Sequence, residues 1–145
     1  MDIPLVSVGT LEVKAFPHAQ TRLPICRGQD AGRGEIPTAL YQVEHGEWHQ
    51  LIEEHITTVE ELCEGISSKT VFCGRFSERS YDFARRIEEM MEEKAVILDN
   101  TFCRAGFLAE LGYRRLERGE RDDVATIHPL YLRSPSITKP TRAQR

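Results

Sequence analysis

IPTALYQVEHGEWHQL, running from Ile36 to Leu51, is the stretch that sets the architecture. Its first half, Ile36 to Val43, is rich in strand-forming residues, and Glu47 to Leu51 resumes that character after Glu44-His45-Gly46. Two such runs joined by a short glycine-bearing turn are the signature of a β-hairpin. Pro37 has no N–H for a ladder, so it belongs at the start or on an edge of its strand.

Downstream of the hairpin the period changes. Thr57 or Thr58, with Glu60 or Glu61 three residues on, makes a capping box. Val59, Leu62, Cys63 and Ile66 then fall at i, i+3, i+4 and i+7, one face of a short helix. Lys69 to Cys73 reads as a continuous apolar strand closed by Gly74. Ser77 opens a second helix with a stripe of Tyr81, Ala84, Ile87 and Met91, and Ala95 to Leu98 is another short strand. Thr101 opens a third helix carrying Ala105, Leu108, Ala109, Gly112 and Leu116, ending near Gly119. His128 to Arg133 reads as a short extended segment.

Upstream, Ile3 to Val8 reads as a short buried strand, and Thr10 caps a helix over Leu11 to Phe16 that Pro17 ends. Residues 20–34 are polar and glycine-bearing, with a brief apolar piece at Leu23 to Cys26. The closing residues 134–145 hold two prolines, three basic residues and no acid, and read as a flexible basic tail. Hairpin, helix, strand, helix, strand, helix is the order of an α/β fold with helices on a mixed sheet. The chain divides into residues 1–20, a C-terminal α/β domain at 21–133, and the tail.

At 145 residues the chain is long enough for one core. With 40% hydrophobic and 29% charged residues it belongs to the soluble globular class. No apolar run approaches the ~18 residues of a membrane span, and Asp2 stands where a signal peptide wants a cation. A cytoplasmic protein with no membrane partner is expected. Cys26, Cys63, Cys73 and Cys103 form no ligand pair, so reduced and mostly buried thiols are expected. The net charge of −4 disfavours direct grip on nucleic acid, which requires neutralised phosphates.

Three constellations invite a chemical reading. His45 and His49 stand four apart with Glu47 between them, but a shared metal at that spacing needs a helix. On a strand they lie about 13 Å apart along the chain. Gly28, Gly32 and Gly34 suggest a phosphate cradle, yet no Gly-Lys-Ser/Thr ending follows, and a flexible turn is the simpler account. Arg114, Arg115 and Arg118 interleave with Glu110, Glu117 and Glu120, as on a solvated, salt-bridged helix face. No catalytic residue, metal ligand or cofactor site emerges from these patterns.

Several segments, taken in order, resemble the TsaB family, also called YeaZ, of the actin-like ATPase superfamily. Ile3 to Glu12 resembles the family's "G-x-P-(V/L)-x-G-V-S-(S/T)-L-E-A" element. Asp30, Arg33, Gly34 and Glu35, running on to Tyr41, resemble "D-A-R-x-G-E-V-Y". Gly74 followed by Tyr81 resembles a "G-(D/E)-G…Y" element. Arg118-Gly119-Glu120 with Asp122 and Asp123, then Pro129, Tyr131 and Arg133, resembles the closing "G-x-x-x-D-…-P-x-Y-(L/I)-R". Gly32 interrupts the second pattern, and Pro37 stands where the family usually has an aromatic residue. The family's "I-D-T-S" strand and "G-P-G-S-F-T-G-L-R" loop have no counterpart here, so the resemblance is to its C-terminal part.

The resemblance implies an actin-like ATPase/ribonuclease H-like half-fold, with residues 1–20 as the remnant of a first half. It implies a non-catalytic accessory role in threonylcarbamoyl transfer to tRNA adenosine, beside a TsaD-like catalytic paralogue and a TsaE-like ATPase. Contact with tRNA would be indirect, and the metal-binding histidines would belong to the paralogue. Two other functions stay open. One is a stand-alone homodimeric interaction module. The other is a metallopeptidase of the so-called glycoprotease type using His45 and His49.

Overall fold

The computed structural model describes residues 3–29, 31–74, 81–98 and 105–133. The hairpin forms as expected. Strand β2 (Ile36–Glu44) and strand β3 (Glu47–Thr57) pair antiparallel with Glu44 opposite Glu47. His45 and Gly46 both take positive φ, 53° and 84°, which is the two-residue turn whose twist matches the strands it joins. β3 runs six residues past Leu51, accommodated by register shifts around Leu40. Residues 52–56 of that extension are exposed or half-buried, and the charged Glu53 and Glu54 hid it in the sequence.

A strand not anticipated sits at the centre of the sheet. β1 (Ile25–Gly28) pairs antiparallel with β2 and parallel with β4 (Thr70–Cys73), which pairs parallel with β5 (Ala95–Leu98). The order is β3-β2-β1-β4-β5. All four residues of β1 are buried, including Arg27, whose charge made the segment read as a loop.

Side chains alternate across the sheet, so neighbours go to opposite layers. Ile25, Val71, Tyr41 and Trp48 face α1 (Thr10–Ala15), the 3-10 turns at Phe16–Thr21, and Leu111 of α4 (Ala105–Glu117). Cys26 and Phe72 face α2 (Val59–Glu64) and α3 (Tyr81–Met91). In that second layer Val59 and Ile87 are wholly buried, each contributing roughly 1.5–3 kcal/mol of transfer free energy. The expected capping box is present. The Thr58 hydroxyl accepts from the Glu61 N–H at 3.3 Å, and the Glu61 carboxylate accepts from the Thr58 N–H at 3.4 Å.

Three expectations need correction. Ile3 to Val8 joins no ladder and is largely exposed, because among the described residues no neighbouring strand pairs with it. Gly9, not Thr10, is the N-cap of α1. The α-helix does end before Pro17, as expected, and the chain continues as a 3-10 segment with Pro17 at its first positions, where a missing N–H costs nothing. In α4 the face buried on the sheet is the Phe107–Leu111 line, one helical turn apart, while Ala105, Leu108 and Ala109 point to solvent. The stripe Ala84, Ile87, Met91 does face the core, joined by Phe83. Ser77 and Thr101, taken as helix starts, lie outside the described residues, as does the tail.

Candidate docking cleft

Two distant parts of the chain wrap over one edge of the α1 layer. After α4, Gly119 at φ 78° closes a Schellman turn: the Glu120 N–H donates to the Arg115 carbonyl at 3.0 Å, and the Gly119 N–H donates to Leu116 at 3.0 Å. The reversed chain then meets residues 3–9. The Asp122 N–H donates to the Leu5 carbonyl at 2.9 Å, and the Asp122 carboxylate accepts from the Ser7 N–H (2.5 Å) and hydroxyl (2.8 Å). Those hydrogen bonds hold the Asp122 carboxyl below the usual carboxylate range. Arg115 fastens the crossing from below, donating to the Ser7 carbonyl and pairing with Glu12 of α1 at 2.6 Å. The arginine cluster is therefore divided. Arg114 and Arg118 make exposed pairs with Glu110 and Glu120, as the sequence suggested, while Arg115 ties two elements together. Sequence reasoning missed that link because its partners are about a hundred residues away.

Between residues 7–11, the far end of the hairpin and residues 128–133 lies a cleft of about 780 Å³. Its walls are mostly apolar, from Leu11, Ile56, Pro129 and Leu130, with Glu54 and Arg133 as charged members. A Cβ at Gly9 would fall on the Glu54 carboxylate, so any side chain there would push that flexible carboxylate aside. Burial, and then the nearby Glu12, push the Glu54 carboxyl above its ordinary value of 4.5.

The motif positions separate into two groups. Glu35 and Arg133, from opposite ends of the chain, form an ion pair at the cleft, with Pro129 and Tyr131 lining it. Glu35 is presented by a tight loop in which Gly32, Arg33 and Gly34 all have positive φ (76°, 60° and 76°), closed by Glu35 N–H to Gly32 carbonyl at 3.3 Å. Of the glycines read as a phosphate cradle, Gly28 belongs to β1 while Gly32 and Gly34 shape a compact turn. Asp30 lies outside the described residues. The other two positions are architectural. Tyr41 is wholly buried, stacked on Trp48 at 5.4 Å and 7°. Gly74 ends β4 where a Cβ would collide with the Gly28 carbonyl oxygen.

His45 and His49 do not converge. His45 is in the hairpin turn, and His49 pairs across to Gln42 with its ring 4.0 Å from the Glu47 carboxylate. Among the described residues no group of three or more His, Cys, Asp or Glu side chains could hold a metal ion. Cys26, Cys63 and Cys73 are free and buried, and burial pushes the thiols of Cys26 and Cys73 up to about 12 and about 11. Among the described residues no helix is long and apolar enough to cross a membrane.

A mixed five-stranded sheet in the order β3-β2-β1-β4-β5, with helices on both faces, makes an α/β fold. The particular fold is that of YeaZ. YeaZ from Pseudomonas aeruginosa matches at TM-score 0.68 and 22% identity, over 89% of this chain and 59% of that one. A crystal structure of a protein with similarity to the peptidase YeaZ from Pseudomonas aeruginosa matches at TM-score 0.66 and 21% identity, over 90% and 59%. This chain therefore spans about 59% of the length of either. No protein-family model and no curated protein matches the sequence.

Proposed function

We propose that this chain is a non-catalytic accessory protein of the TsaB type, working in the cytoplasm beside a TsaD-like catalytic paralogue and a TsaE-like ATPase. Its role is to support threonylcarbamoyl transfer to tRNA adenosine without binding the tRNA itself. The observation carrying this reading is the Glu35–Arg133 ion pair. It joins two of the family-like segments across one cleft of a YeaZ-type fold, which gives those motifs a common structural purpose. The net charge of −4 suits action through another protein better than direct contact with phosphates.

Co-purification of this chain with the host's TsaD-like protein tests the reading. A stoichiometric complex, weakened when Glu35 and Arg133 are both changed to Ala, is the expected result. A soluble, folded chain that captures no such partner overturns it. A second reading, a stand-alone module that pairs with itself, is favoured by the exposed Ile3, Leu130 and Tyr131 beside the cleft.

A further inference from the structure

A second pocket, with no residue in common with the cleft, opens between β3 and α4. It encloses about 260 Å³ and is walled by Trp48 and His49 of β3, by Leu111, Arg114 and Arg115 of α4, and by Arg118 just beyond. Arg114 and Arg118 stand one helical turn apart, which brings both guanidinium groups to the same side. Arg114 is further fixed over the Phe16 ring, 5.2 Å from its centre, where the cation meets the negative face of the ring.

What the pocket leaves unsatisfied is donors. Trp48 is 8% exposed and locked between Tyr41, stacked at 5.4 Å, and Phe16, edge-on at 5.2 Å. Among the described residues its buried indole N–H has no acceptor. A donor closed off in that way forfeits the hydrogen bond it would make in water. Arg114 reaches Glu110 through Nη2 alone, and Arg118 reaches Glu120 through Nε alone, so each keeps other nitrogens for a ligand. Arg115 differs, since Glu12 and the Ser7 carbonyl already hold it. Of the carboxylates at the pocket, Glu12 is taken by Arg115 and Glu120 by Arg118, while Glu47 stands at the rim with its side chain 71% exposed.

We propose that this pocket binds a small organic acid through its carboxylate. The carboxylate accepts from the remaining nitrogens of Arg114 and Arg118, whose planar groups match two oxygens at once, and from the Trp48 N–H. Arg118 and Glu120 are both about half exposed, so loosening their pair costs little. Leu111 and the indole supply an apolar wall for the rest of the molecule. The volume lies below the ~300 Å³ at which drug-sized sites begin, which limits the ligand to a short chain or a single ring. One negative charge is favoured over two, because Glu12, Glu47 and Glu120 line the same space. That sets a carboxylate ahead of a phosphate.

Trp48 is the chain's one tryptophan, so its emission reports on the pocket directly. The full chain is titrated with hexanoate, with hexanol as the uncharged match and inorganic phosphate as the competing anion. Hexanoate should shift the emission saturably, half complete at about 1 mM for a ligand of that size. Hexanol and phosphate should bind at least tenfold more weakly. Arg118→Gln should weaken hexanoate at least tenfold with circular dichroism unchanged, because that half-exposed side chain pairs only with Glu120 among the described residues. Arg114→Gln combined with Arg118→Gln should remove the response. No saturable shift up to about 50 mM hexanoate overturns the proposal. So does equal binding of hexanol, tighter binding of phosphate, or a response that Arg118→Gln leaves unchanged. The titration contains no other protein, so this inference and the proposed function fail separately.

Discussion

The β1–β4 pairing and the crossing of residues 3–9 with 118–133 hold chain segments together by opposite means. At β1 and β4, all four residues of each strand are buried and backbone approaches backbone so closely that Gly74 admits no side chain. At the crossing, a few side chains, chiefly Arg115 and Asp122, clasp an exposed peptide. The first arrangement resists any change in volume. The second is held by hydrogen bonds that water can replace one at a time.

That difference can be attacked from both sides. Gly74→Ala should have the largest effect, because backbone rather than a movable side chain blocks the new methyl. A loss of about 2–3 kcal/mol in denaturant unfolding, with the whole molecule less stable, is expected. Unchanged stability would show that the strand ends can part freely. Arg115→Met, which keeps the stem over α1 but drops the guanidinium, should cost only about 1 kcal/mol globally. It should nevertheless speed amide exchange at residues 5–9 strongly while leaving β1 and β4 protected. Equal loosening of both regions would erase the distinction between them.

Glu54→Gln gives the smallest effect and carries a pH signature. Its carboxyl is raised in the folded chain, so the fold favours the protonated form. That contribution is complete below 4.5 and is lost as pH rises through the raised value. Gln, which never ionises, should match wild type at low pH and be more stable by a few tenths of a kcal/mol at pH 7. A variant less stable at pH 7 would mean that Glu54 gains more from its surroundings than burial takes away.

What the sequence disclosed follows the same division. The hairpin, the Thr58 cap and the continuous apolar runs of β4 and β5 depend on local composition and spacing, and all were legible. β1 was not, because Arg27 is 1% exposed with its Nε and Nη1 lacking partners, a placement no residue-by-residue rule anticipates. Residues 3–8 failed for the reverse reason: their apolar pattern reads as a strand, but the sheet that would recruit them is absent from the described residues. The cleft was half visible. The family-like segments pointed to Glu35 and Arg133, yet nothing in either segment shows that the two meet. Glu54, Arg115 and the Ser7–Asp122 contact arise only from tertiary packing.

The buried thiols have a use beyond packing. Cys26 and Cys73 lie back to back with the strands most central to the sheet, and at neutral pH almost none of either is in the reactive thiolate form. An alkylating reagent therefore reaches them no faster than β1 and β4 come apart. The molecule carries its own clock for global opening, placed where loosening of the outer crossing leaves the reading untouched.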